Sequence, residues 1–399
     1  MFMNKRKRGI IFIIFGTLFL LNLIPAYARK GDILIGAFYM PGWKADSPFW
    51  GDLRGEPDSR SPGIPWPERK PLLGYYPEGE DWVTKKHIAW ASEAGIDFFV
   101  YNWYWLPKRG PYIEHALQSF LRLNDKRNFR FAIMWVNHPP FHKSAREWKQ
   151  VTSYWKKNLF SSKYYLRIKG KPLVLIFSPR KFRKELGSTE KAAYILRKMR
   201  EAAGGFFLVA CLNRPANYEK LGLLVLEGYD GVSAYNYVGY SGPQIDTYDH
   251  LIAFYYKTWE DYARKITQIN YYLAGKRAPE VEHILAVLKK DHHKRKFVKA
   301  FESLKGSGKK LSYLVPVIPG WDERPWKGKD AYVRVRSTPK KFAEMLKKAK
   351  FFTNKYQKDR IIEPIILIEA WNEFGEGAYI EPTEGWGKAY LDAVKKALE

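Results

Sequence analysis

The chain has 399 residues, with 68 Lys and Arg against 41 Asp and Glu, a formal charge of +27, and 17% aromatic residues that include 15 Trp. That composition excludes a disordered chain, which is poor in aromatics, and a coiled coil, which needs sustained Ala-, Glu- and Leu-rich heptads; one Cys excludes a disulfide scaffold. A large globular protein remains, as two ordinary domains or as one barrel with insertions.

At the start of the chain Lys5, Arg6, Lys7 and Arg8 precede an apolar run from Ile10 to Ile24, and Pro25 leads into the small-x-small site Ala26-Tyr27-Ala28. This predicts a secretory signal peptide over residues 1–28, one domain over 29–399 and export to the cell surface, periplasm or medium. A membrane partner follows only if the leader stays uncleaved. Cleavage removes four positive charges and leaves +23. The basic residues are spread over most helical segments, with a denser stretch from Lys276 to Lys310, and no nucleic-acid motif accompanies them, so nucleic acid is not an expected partner. Solvated Lys-rich surface accounts for the excess, with an anionic partner such as an acidic glycan as the alternative.

Eight apolar, β-branched or aromatic runs follow in order: Ile33 to Tyr39, Ile96 to Asn102, Phe131 to Asn137, Pro172 to Phe177, Phe206 to Leu212, Gly231 to Tyr235, Leu311 to Ile318 and Ile365 to Ala370. Most lack polar alternation, as parallel strands covered on both faces do. Between them lie helical segments with start and stop signals: Trp82 to Ala94 before Gly95, Ser188 ahead of Thr189 to Ala203, a capping-box-like Thr258-Trp259-Glu260-Asp261 opening a helix to Gly275, and Thr338-Pro339. Eight strands alternating with helices predict an α/β fold, a (β/α)8 TIM barrel in a single domain. A doubly wound sheet fits less well, because Tyr39-Met40-Pro41-Gly42-Trp43 stands where a Gly-rich nucleotide turn belongs. Trp43 to Gly79 reads as a long first βα loop, and Gly275 to Lys310 as a basic helical insertion before the seventh strand.

Barrel active sites lie at the C-terminal ends of the strands. Those ends carry Tyr39 and Trp43, Tyr101, Asn102 and Trp103, Trp135, Asn137 and His138, Tyr235 and Asn236, Trp321 and Asp322, and Trp371 and Asn372. Flat aromatic faces beside hydrogen-bonding side chains suit a carbohydrate cleft, so these are the expected substrate-binding residues; for any single aromatic, core packing is the competing explanation. Glu373 and Glu376 follow the last strand, three residues apart in a Gly-bounded turn. Glycosidic cleavage uses two such carboxylates, a proton donor at the leaving oxygen and a partner that stabilises or completes the other side. Glu369, Glu381 and Glu384 lie nearby, so chemistry alone leaves the choice among carboxylates open.

The block Trp371-Asn372-Glu373-Phe374-Gly375-Glu376-Gly377-Ala378-Tyr379-Ile380-Glu381-Pro382, with Gly387 and Tyr390-Leu391 after it, resembles the C-terminal signature of glycoside hydrolase family 99-like proteins. These are endo-α-mannosidase-type enzymes and bacterial relatives linked to polysaccharide biosynthesis and classed as glycosyltransferases. Pro319-Gly320-Trp321-Asp322 and Gly95-Ile96-Asp97-Phe98-Phe99 are similar to other blocks of that family. The resemblance implies a (β/α)8 barrel, retention of anomeric configuration, Glu376 as general acid/base and Glu373 as the carboxylate that deprotonates the substrate 2-hydroxyl. The third block departs from the pattern, with Trp135-Val136-Asn137-His138-Pro139 where the bacterial relatives carry an Asn-Glu pair after the Trp, and the Gly275 to Lys310 insertion is atypical.

The leading expectation is thus an exported, endo-acting, retaining glycosidase acting on a polysaccharide or glycan. The alternatives are a glycosyltransferase-like protein of envelope polysaccharide assembly, against which export argues because nucleotide sugars are cytoplasmic, and a non-catalytic glycan-binding barrel. No cofactor is implied, and the eight His and one Cys form no zinc-ligand pattern, so no metal is expected.

Overall fold

The computed structural model describes residues 33–56, 63–141, 143–356 and 362–399. The expected leader over 1–28 lies outside the described residues. Eight strands line the barrel: β1 Leu34–Tyr39, β2 Phe98–Leu106, β3 Arg130–Trp135, β4 Lys171–Ile176, β5 Phe207–Cys211, β6 Gly231–Ser233, β7 in two pieces, Ser312–Tyr313 and Val315–Val317, and β8 Ile365–Ile368. Neighbours from β1 to β6 pair in parallel. The first piece of β7 pairs with β6, Ser312 opposite Gly231, and the second with β8, Val315 opposite Ile366, while β8 pairs with β1 at Ile365 and Leu34. β7 therefore closes the ring, bending at Leu314, and the fold is a (β/α)8 barrel.

The runs lack alternation because each strand buries both faces, and parity then separates two cores. Phe38, Phe98, Val100, Ala132, Met134, Leu173, Leu175, Val209, Leu314, Ile365 and Leu367 fill the barrel interior. Their sequence neighbours, among them Ala37, Phe99, Ile133, Val174, Leu208 and Ile366, face the surrounding helices. Gly36 belongs to the tightest part of the interior: a Cβ there would overlap the Phe98 ring, so only Gly lets β1 and β2 approach.

The helices obey their local signals where capping decides and depart where packing decides. Ser188 accepts a hydrogen bond from the Lys191 amide at the start of Thr189–Ala203, which ends at Gly204 with φ 80°. The helix expected to open near Thr258 instead spans Tyr248–Leu273, capped by Thr247. Leu251, Ile252, Tyr255, Trp259 and Tyr262 form one continuous buried stripe, so Thr258 is a buried interior position and not a cap.

The insertion before β7 forms two short helices, Pro279–Lys290 and Arg295–Glu302, seated through Val281, Leu285, Val298 and Phe301. Lys289, Lys290 and Lys299 stay exposed, so this stretch's charge is largely a solvated helix face. Aromatics hold the described parts of the long first loop. Trp43, Trp50, Tyr76 and Phe374 pack as a satellite core over the end of β8.

Candidate functional site

Beyond β8 the chain makes a tight turn, with a two-residue hairpin pairing Asn372 with Tyr379 and Glu373 with Ala378. The loops after β1 and β7 lock this turn. Asn372 accepts from the Met40 amide at 2.8 Å and donates back to the Met40 carbonyl at 3.1 Å, while the Trp43 indole donates to the Asn372 carbonyl at 2.9 Å. Arg69, buried in the long first loop, donates to the carbonyls of Asp322 and Phe374 at 2.9 Å each and pairs with the Asp322 carboxylate at 2.8 Å. The backbone of Asp322 in turn donates to the Glu376 carbonyl at 2.6 Å. With its backbone held from both sides, the turn presents its carboxylates in a fixed geometry.

Glu369, Glu373 and Glu376 converge above the interior core. The Tyr235 hydroxyl, at the end of β6, donates to Glu373, and Asn102 from β2 donates to the Tyr235 oxygen at 3.2 Å. Asn236 donates to Glu369 at 3.4 Å. One buried oxygen of each of the three carboxyls, and the Asn102 carbonyl oxygen, has no partner among the described residues. Four unpaired acceptors in one place are what a site that bonds sugar hydroxyls would leave open.

Burial raises the Glu373 pKa to about 7, even though the Tyr235 hydrogen bond pulls the other way. Glu376 is pushed well above the ordinary carboxylate range by burial first and then by the neighbouring Glu373 and Glu323, and Glu369 likewise by burial and by Glu376 and Glu373. Like charges in one dry site cannot all ionise together, so the cluster holds protons at neutral pH and Glu373 is poised to give up its own. Burial, with the same carboxylates adding to it, raises the Tyr235 phenol far above its ordinary value, so it remains a donor.

Rings line one side of this cluster. Phe38 and Phe177 lie edge-on to Tyr235 at 5.0 and 5.7 Å, His138 bridges Phe177 and Phe141 at 5.4 and 6.0 Å, and Phe141 covers Tyr104 at 4.5 Å and Tyr112 at 5.6 Å. Burial lowers the His138 pKa, so the imidazole is neutral at neutral pH.

The sequence-predicted residues thus divide. Glu373, Glu376, Asn102, Tyr235, Asn236 and His138 come together. Tyr39, Tyr101, Trp103, Trp135 and Trp371 do not: their parity turns them outward, where Tyr39 and Trp371 meet His87, Tyr101 meets Phe120, and Trp103 and Trp135 meet Trp155. Trp43 and Asn372 hold the loops, Asn137 bonds the backbone of Ser178 at 3.0 and 2.8 Å, Trp321 is buried, and Asp322 is engaged by Arg69 and Arg324. Sequence reasoning passed over Tyr104, Phe141 and Phe177. Asn102 was the available signal: a polar residue in an aromatic strand marks the inward parity, which then includes Tyr104.

A parallel barrel with carboxylates crowded at the C-terminal end of β8 is a (β/α)8 barrel with a titratable cluster where barrel active sites lie. The chain belongs to the family described as glycosyltransferase WbsX, whose model matches residues 65–394. The fold is that of the GH99 endo-alpha-mannosidase from Bacteroides thetaiotaomicron, with 16% identity, a TM-score of 0.56 and coverage of 91% of this chain and 96% of that one. A structure described as a glycoside hydrolase-like protein matches with 15% identity and a TM-score of 0.58 over 96% of this chain and 98% of its own. By sequence, the uncharacterized protein WxcX of Xanthomonas campestris pv. campestris is 32% identical over 82 residues; the match spans 21% of this chain and only 12% of that protein's length.

Proposed function

We propose that this protein is an exported glycosidase, endo-acting and retaining, in which Glu376 is the general acid/base and Glu373 its partner. The observation that carries the reading is the buried pair itself: two carboxyls on one locked turn, both with raised pKa and unpaired oxygens, beside an aromatic wall. Glu376, raised well above the ordinary carboxylate range by burial and by Glu373 beside it, keeps its proton for the leaving glycosidic oxygen. Glu373, titrating near 7 and held by Tyr235, accepts the proton of the substrate 2-hydroxyl as that oxygen bonds the anomeric carbon and displaces the leaving group. Water then attacks the same carbon, giving a proton to Glu376 while Glu373 returns its own to the 2-oxygen, so two displacements retain the configuration. Asn102, Asn236 and Glu369 orient hydroxyls, and the rings around Phe177 shield the site from water. Likeness in fold to an endo-alpha-mannosidase supports the substrate class, a glycan, and the expected leader supports export.

The test is proton NMR of the first-formed product on a glycan that the protein cleaves. Retention of the anomeric configuration is expected; inversion, or cleavage only from chain ends, contradicts the proposal. A second reading, a glycosyltransferase-like role in polysaccharide assembly, is favoured by the family description. Sugar-nucleotide-dependent transfer without hydrolysis would establish it in place of the first.

A further inference from the structure

A cleft of about 330 Å³ begins one residue beyond Glu376, bounded by the loops after β7 and β8 and by the first loop. Four arginines, Arg69, Arg324, Arg334 and Arg336, line it against two carboxylates, Glu68 and Asp322. Arg69 and Arg324 both spend their charge on Asp322. Arg334 is buried with backbone carbonyls and the Ser241 hydroxyl as its partners, and its Nε has none among the described residues. Arg336 is exposed, and its side chain has no ion pair among the described residues. The lining side chains therefore carry an excess of positive charge, which Asp246 and Glu323 offset at Arg334 but which stands at Arg336.

Two further features point to a sugar and not to a bare ion. Trp386, 39% exposed, and Tyr390 stand in the wall with their rings 5.8 Å apart, which offers an apolar face. The buried indole N–H of Trp321, in the same wall, has no acceptor among the described residues. A planar guanidinium matches a carboxylate in two-point fashion, and a stacking ring beside it matches the pyranose that bears that carboxylate.

We infer that this cleft, lined by Gly377 of the turn that carries Glu373 and Glu376, is a subsite for a carboxylated sugar residue of the glycan. The inference rests on the glycosidase reading for the identity of the neighbouring site, but the cleft itself is tested by binding alone. It gives part of the chain's positive charge a task, in contrast to the solvated lysines of the insertion.

The experiment is calorimetric titration of the full chain carrying Glu376→Gln, at physiological salt, with trigalacturonate, its methyl-esterified neutral counterpart and sodium sulfate as probes. Tighter binding of the acidic trisaccharide than of the ester, by about tenfold, is expected, with sulfate too weak to displace it. Arg336→Gln, an exposed position that keeps its fold, and Trp386→Ala each reduce that preference to within about twofold, whereas Lys309→Gln with Lys310→Gln, in a basic cavity elsewhere on the surface, leaves it intact. Equal binding of acid and ester, binding of neither, loss of preference only in the lysine variant, or displacement by sulfate at equal concentration overturns the inference. Absence of hydrolysis by the wild type with the preference intact would instead remove the glycosidase reading and leave the subsite standing.

Discussion

Replacing Glu373 by Gln should stabilise the protein, increasingly as the pH rises from about 4.5 to 7 and by a constant margin above that. In the folded chain the carboxyl titrates near 7, against an ordinary value of 4.5. A raised carboxylate pKa means that the native state binds more protons than the unfolded state between those values, so stability falls as pH rises through the window. The shift corresponds to about 3 kcal/mol once the group is fully ionised in both states. Gln preserves the shape and an acceptor for Tyr235 but never ionises. At pH 4, below both values, the variant and the wild type should therefore melt together. At pH 8 to 9 the variant should melt higher, by about 5 °C for a chain of this size. Differential scanning calorimetry at the two pH values checks this. A variant that is less stable at both, or more stable by the same margin at both, would refute the account of the cluster as a dry, proton-holding site.

Three further outcomes follow from the geometry. Tyr235→Phe removes the hydrogen bond that holds the Glu373 pKa down, so the acidic limb of the kcat/KM profile moves to higher pH. Trp103→Ala, in the outer core against Trp155, costs about 3–5 kcal/mol of stability on denaturant titration with KM unchanged, whereas Tyr104→Ala raises KM. Asn372→Ala strands both the amide and the carbonyl of Met40 and costs about 2–3 kcal/mol, visible as a lower denaturation midpoint.

The barrel was legible because eight continuous apolar runs recur along the chain with helix signals between several of them, and that alternation fits one closed topology. The identity of the inward face was not. A strand buried on both faces has no polar alternation, so Tyr39, Tyr101, Trp103 and Trp135 look as suitable for a sugar as Phe38 or Tyr104 do. Only polar residues break the tie: Asn102 on β2 and Glu369 after β8 point inward and fix the parity of their neighbours. The roles of Trp43, Asn372 and Asp322 were illegible for another reason. Their partners, Asn372, Met40 and Arg69, lie hundreds of residues away or in a loop whose path the sequence does not encode locally. The paired Glu stood out because the turn carrying them is short.

The most direct test of the account measures reducing-end release from a panel of bacterial and host glycans by the wild type, Glu373→Gln and Glu376→Gln, each first shown to be folded. The wild type should release new reducing ends from at least one glycan, and each substitution should lower that rate by about 10²–10⁴-fold. Release that survives Glu376→Gln unchanged, or a wild type that cleaves no glycan but transfers sugar from a nucleotide donor, would contradict it.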